Sequence, residues 1–133
     1  MISFLVTKYR QLDEILKRRN RLRFEARRID IHDHGFDIID LKSNRSSVIW
    51  ARVNCINVAK RDWFSFDQIC FEFYQAGVEL PIEVNENMEG FELLSETLPN
   101  KFHGFDRDWF SKVVKPAFAP NFTEVWKRTP GTK

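Results

Sequence analysis

SVIWARVNCINVAKRDWFSFDQICFEFYQAGVELPIEVNE, residues 47–86, is the stretch whose reading decides the fold. It holds three apolar runs separated by turn-like breaks, then stops at an acidic, glycine-punctuated boundary where a helix is expected to begin. Between Phe66 and Tyr74, Ile69, Phe71 and Phe73 fall on one face and Cys70 and Glu72 on the other, the period-two pattern of a strand. Leu80, Ile82 and Val84 alternate with Glu79 and Glu83, predicting another strand over 79–84, and Pro81 places it at a sheet edge. Trp50, Val53 and Ile56 are spaced by three. A single helical turn or kink at Ala51–Asn54 would turn all three inward, with a strand resuming from Cys55 to Ala59. Lys60–Trp63 reads as the exposed end of a hairpin. These are the central strands of a small antiparallel sheet.

Outward toward the amino terminus, Leu5, Tyr9, Leu12, Ile15 and Leu16 form one stripe, predicting an amphipathic helix over 3–19. Leu22, Phe24, Ala26, Ile29 and Ile31 alternate as a strand whose pattern slips near Arg27–Arg28, which suggests a bulge. Asp33-His34-Gly35 is a tight turn. Phe36, Ile38 and Leu41 continue the returning strand, and 42–47 is a polar loop. Toward the carboxyl terminus, Asn87 or Glu89 opens a helix with Phe91, Leu94 and Leu98 on its apolar face, ended by Pro99-Asn100. Asp106 is an N-cap for a second helix, Arg107–Lys115, with Trp109, Phe110 and Val113 inward. The ring-rich tail PAFAPNFTEVWKR packs back as an extended segment or strand.

This order of hairpin-linked strands followed by helices resembles the pleckstrin-homology-like split barrel of small bacterial proteins. The segment VIWARV is similar to an I-x-W-x-x-V element of that superfold. KRDWFSFDQICFEF, VNENMEGF and KPAFAPNFTEVWKR also resemble a family of uncharacterised bacterial proteins, over residues 22–128. The resemblance implies an α+β fold: a bent antiparallel sheet or split barrel of about six or seven strands, with carboxy-terminal helices. It implies no activity and no cofactor. Residues 1–21 lie outside it, as an amino-terminal amphipathic basic helix beside a single domain at 22–128.

Composition narrows the function classes. A chain of 133 residues with 43% hydrophobic and 30% charged side chains can bury a core without disulfides or metal. The net charge of +2 hides an asymmetry. Residues 1–28 carry nine basic and three acidic side chains, and residues 29–133 carry twelve and sixteen. A basic arm on a mildly acidic body follows. Cys55 and Cys70 both fall in apolar strands and read as buried thiols in a reducing compartment. No apolar run approaches the roughly 18 residues of a membrane span, and the short patch Ile2–Val6 precedes its basic residues, the reverse of a secretory signal. The expectation is a cytoplasmic protein.

The candidate sites are few. His32 and His34, with Asp30 and Asp33, straddle a turn and lack a third ligand at a defined spacing, so they read as a polar hairpin end. His103 reads as a loop histidine. There is no G-x-S-x-G and no glycine-rich phosphate loop, and no carboxylate pair stands out among nineteen acids. Lys60, Arg61, Trp63 and Phe64 form the most suggestive surface, because a basic pair beside two rings can meet a lipid head group, an acidic peptide or a stacked base. The opposing reading keeps Lys60 and Arg61 solvated while the rings close the end of the barrel. The leading expectation is a non-enzymatic binding or adaptor domain that recognises a protein partner. Peripheral attachment to an anionic membrane, through the basic arm and the Lys60–Trp63 hairpin, is the alternative, and a small enzyme with an unrecognised site is a third. Nucleic acid is disfavoured, and homo-oligomerisation stays open.

Overall fold

A computed structural model describes residues 27–62, 67–114 and 121–129. The helix expected at 3–19 and the strand residues before Arg27 lie outside the described residues, as do Trp63 and Phe64. Seven strands and two α-helices are described. β1 (Arg28–His32), β2 (Gly35–Ile39) and β3 (Arg45–Ile49) form one antiparallel sheet in the order β1-β2-β3. A 3-10 turn at Trp50–Arg52 then leads into β4 (Val53–Asp62). β4 joins β5 (Asp67–Gln75), β6 (Ile82–Asn85) and β7 (Asn121–Lys127) in a second antiparallel sheet, ordered β6-β5-β4-β7. The helices α1 (Phe91–Lys101) and α2 (Trp109–Val113) lie in sequence between β6 and β7. The class is α+β, with two antiparallel sheets and no closed barrel.

The turn at Trp50–Arg52 is the one that the three-residue spacing predicts, and it separates the two sheets. Val53 and Ile56 are fully buried beyond it, while Trp50 is half-buried. β5 is read correctly from its alternation: Ile69, Phe71 and Phe73 all enter the core. Burying a ring of that size stabilises the fold by about 1.5–3 kcal/mol. The rings meet edge to face, as aromatic quadrupoles prefer. Phe36 lies 5.0 Å from Phe73 and Phe71 lies 5.1 Å from Trp109, centroid to centroid. Phe91, Leu94 and Leu98 form the buried face of α1, as their spacing predicts.

Several boundaries differ from expectation for physical reasons. Leu41 and Leu80 are exposed, 82% and 76%, because each lies outside the strand expected to hold it. β6 begins after Pro81, and it is an edge strand, as a residue without an N–H demands. α1 starts at Phe91 behind Gly90, whose φ of 92° lies in the left-handed region. It continues past Pro99 to Lys101, since the lost N–H falls in the final turn, and the Phe102 N–H still donates to the Leu98 carbonyl at 3.0 Å. α2 is shorter than expected and Phe110 is 56% exposed, with only Trp109 and Val113 turned inward. The carboxylate of Asp106 accepts the Asp108 N–H at 2.9 Å, and its carbonyl accepts Trp109 N–H at 3.3 Å. The tail is a strand, β7, paired with β4 and carrying a bulge opposite Ile56–Asn57.

The face of the second sheet opposite the core is largely polar, and its centre is closed to solvent. Alternation from Val58 and Phe71 puts Ala59 and Cys70 there, both fully buried, with Gln68, Glu72 and Asn85 below one-tenth exposed. Arg61 spans the strands on this side. Its guanidinium donates to both carboxylate oxygens of Glu83, at 3.1 and 2.8 Å, and to Glu72 at 3.3 Å. Burial pushes the Glu72 carboxyl above its usual range, an effect that the nearby Arg61 opposes.

Candidate binding groove

Two of the four residues expected to form a binding surface are described, and neither offers a free cation to a ligand. Lys60 is 2% exposed. Its ammonium donates to the Val114 carbonyl at 3.1 Å, at the negative end of α2, where a cation is favoured. Its register partner Asn121 donates to the Lys112 carbonyl in the same helical turn at 3.0 Å. The pair ties two adjacent strands to the end of α2. Arg61 is held by Glu83 and Glu72, and hydrogen bonding to Glu83 raises its pKa further. The expectation that Lys60 stays solvated at a hairpin end is corrected: β4 runs on through Asp62, and the period of the strand turns Lys60 inward, while Arg61 stays partly exposed on the other face.

The histidines separate. His32 ends β1, and its Nδ1 accepts the His34 N–H at 3.2 Å, so the other ring nitrogen carries the proton toward Asp37, 3.4 Å away. Asp37 also accepts the Ser47 hydroxyl at 2.6 Å and the Arg45 guanidinium. Ser47, His32 and Asp37 are thus neighbours on one sheet face, but in the wrong order for a nucleophile, because Ser47 donates to the carboxylate and not to the imidazole. Those donors, Ser47 foremost, hold the Asp37 carboxyl below its ordinary range. Among the described residues, no group of three or more His, Cys, Asp and Glu gathers as metal ligands. Both thiols are unpaired by disulfide. Burial first, then the charge of Glu124, pushes the Cys55 thiol up to about 11. Burial and then Glu83 push Cys70 well above the usual thiol range. Neither is a thiolate at neutral pH, so neither is poised as a nucleophile.

A groove elsewhere has a more defined shape. Three stretches meet there: the 3-10 turn at Trp50–Arg52, the end of α1 with the loop at Phe102–Gly104, and the end of β7 with Arg128 and Thr129. The cleft is about 580 Å³. Its rings form a chain, with Trp50 and Phe102 edge to face at 5.6 Å and Phe102 and Trp126 at 4.6 Å. The Trp126 indole donates to the His103 carbonyl at 2.9 Å, which joins β7 to the loop behind α1. Arg128 donates to the carbonyls of Ala51 at 3.1 Å and Val53 at 2.8 Å, and its guanidinium lies 5.4 Å from the Trp126 ring. The wall is therefore set by hydrogen bonds from two side chains, Arg128 to the turn 77 residues before it and Trp126 to the loop 23 residues before it.

Charge distinguishes this groove. Lys101, His103, Lys127 and Arg128 line it, and no carboxylate does among the described lining residues. Lys101, His103 and Lys127 are exposed. A second cleft of about 470 Å³, between the start of α1 and α2, has the opposite character, with Glu86 and Glu92 beside Met88, Phe91 and Phe110. The first groove escapes sequence reading because its parts are scattered. The only local signal is a ring followed by basic residues, in Trp50-Ala51-Arg52 and again in Trp126-Lys127-Arg128. Among the described residues no helix is long and apolar enough to cross a membrane. No protein-family model, curated protein or solved structure matches the chain.

Proposed function

We propose that this chain is a non-enzymatic binding domain that recognises a protein partner, and that the Trp50–Phe102–Trp126 groove is its recognition surface. The observation that carries this reading is a pre-formed aromatic cleft whose charged lining residues are all basic. Rings at the floor of a concavity suit an apolar anchor, and rim cations contribute steering and specificity. The pleckstrin-homology-like split-barrel description belongs to the same proposal. Seven strands in hairpin order through two sheets favour it, while the position of α1 and α2 ahead of the last strand departs from the expected order. The Lys60 and Arg61 part of the membrane reading loses support, because Lys60 is buried and Arg61 is bound to Glu83 and Glu72, while residues 1–26 of the basic arm lie outside the described residues.

The test is affinity capture with three proteins: the natural chain, K101E/K127E, and K42E as a control at an exposed loop lysine outside the groove. A stoichiometric partner held by the natural chain and by K42E, but released by K101E/K127E, is the expected result. A partner held equally by all three overturns the groove as the surface.

A further inference from the structure

We propose that the occupant of this groove is an extended acidic segment of the partner protein, with an apolar side chain laid against Phe102 and Trp126 and flanking carboxylates at Lys101 and Lys127. This rests on the groove reading above and names what fills it. Lys101 and Lys127 stand at different edges of the cleft, one from the last turn of α1 and one from the end of β7. Neither makes an ion pair or side-chain hydrogen bond among the described residues, so their charges are available to a ligand. Arg128 is not equivalent. Its fork is occupied by backbone carbonyls, and it positions the wall and adds positive potential. Phe102 and Trp126 are below one-tenth exposed but border the cleft, which gives it an apolar floor between two cationic rims.

Charge balance selects among anions. Residues 29–133 carry sixteen acidic and twelve basic side chains, so the groove is a local positive spot on an acidic body. A nucleic acid presents a continuous charge, about one per 1.7 Å of duplex axis, and needs a basic track to follow it. Among the described residues the groove supplies a short cluster, Lys101, His103, Lys127 and Arg128, rather than such a track. A small inorganic anion would meet the lysines but gain nothing from the rings. A short peptide that alternates acidic and apolar residues uses both, and its successive side chains project to opposite sides as the rims and floor require.

Isothermal titration with an end-blocked peptide of alternating Glu and Leu tests this. Its counterpart with Lys for Glu, a single-stranded oligonucleotide and inorganic phosphate serve as competing probes. The acidic peptide alone is expected to bind, with affinity falling about tenfold in K101E/K127E and little changed in K42E. Raising salt from about 0.05 to about 0.15 M weakens it, as exposed charges are screened. Near-ultraviolet circular dichroism confirms that each variant is folded, and the milder K101Q/K127Q replaces the reversal if it is not. Absence of peptide binding, binding unaffected by either double variant, or tighter binding of the oligonucleotide or phosphate overturns the proposal. Lysine-dependent partner capture without peptide binding would retire the occupant and keep the groove. Loss of lysine dependence in both experiments retires both.

Discussion

Asp37 illustrates how much one carboxylate organises on the first sheet. Three side chains from β1 and β3 converge on it from either side of the central strand. Because its folded pKa lies below the ordinary aspartate value of 3.8, the carboxylate contributes stability that is fully present above that value. The contribution is lost as pH falls through the lower folded value, where the native state must also take up the proton. Ser47→Ala removes the largest cause of the depression. Its thermal midpoint is therefore expected to lie below that of the natural protein at pH 7, and the gap should narrow below pH 3.8. A gap independent of pH would assign the loss to packing. Lys60 shows why some of the candidate site was illegible. Its charge argues for solvent, since lysines are rarely buried, yet it stands two residues beyond Val58, on the inward register of β4. Alternation was the better guide, and the carbonyl end of α2, distant in sequence, helps make an inward ammonium tolerable.

At the scale of elements, β2 depends on close approach of backbones. A Cβ at Gly35 would lie 1.8 Å from the Val48 carbonyl oxygen on β3, so no side chain fits without opening the pair. Gly35→Ala is expected to cost about 3 kcal/mol or more in urea unfolding. Gly77→Ala, where the added methyl meets nothing within 4 Å but φ is 77°, should cost only the left-handed penalty of about 1–2 kcal/mol. Equal losses would show that the β2–β3 pair yields cheaply at Gly35, since Gly35 has no left-handed φ to penalise an added side chain. Elements with strong internal periodicity were legible: β5, the buried face of α1, and the turn before β4. Boundaries set by tertiary contact were not. The Arg28–Glu89 bridge, with Ile29 N–H donating to the Glu89 carbonyl at 2.8 Å, helps set where the chain enters α1, and no local pattern encodes that pairing.

For the whole molecule, the described residues form two sheets and two helices around one hydrophobic core. The aromatic groove forms where three stretches close on one another, residues 50–51, 101–104 and 126–129, and its charged lining residues are basic. Each stretch alone reads as an unremarkable end of an element, so the site exists only at this scale. The most direct test is nitrogen–proton correlation spectroscopy of the intact protein during titration with the acidic Glu–Leu peptide. The account predicts that the indole N–H signals of Trp50 and Trp126 shift together with the amides of Lys101–Gly104 and Lys127–Thr129, while the indole of Trp109 stays in place. Shifts centred instead on Trp109, Phe110 and the cleft beside Glu86, or on the Asp37 face of the first sheet, would contradict it.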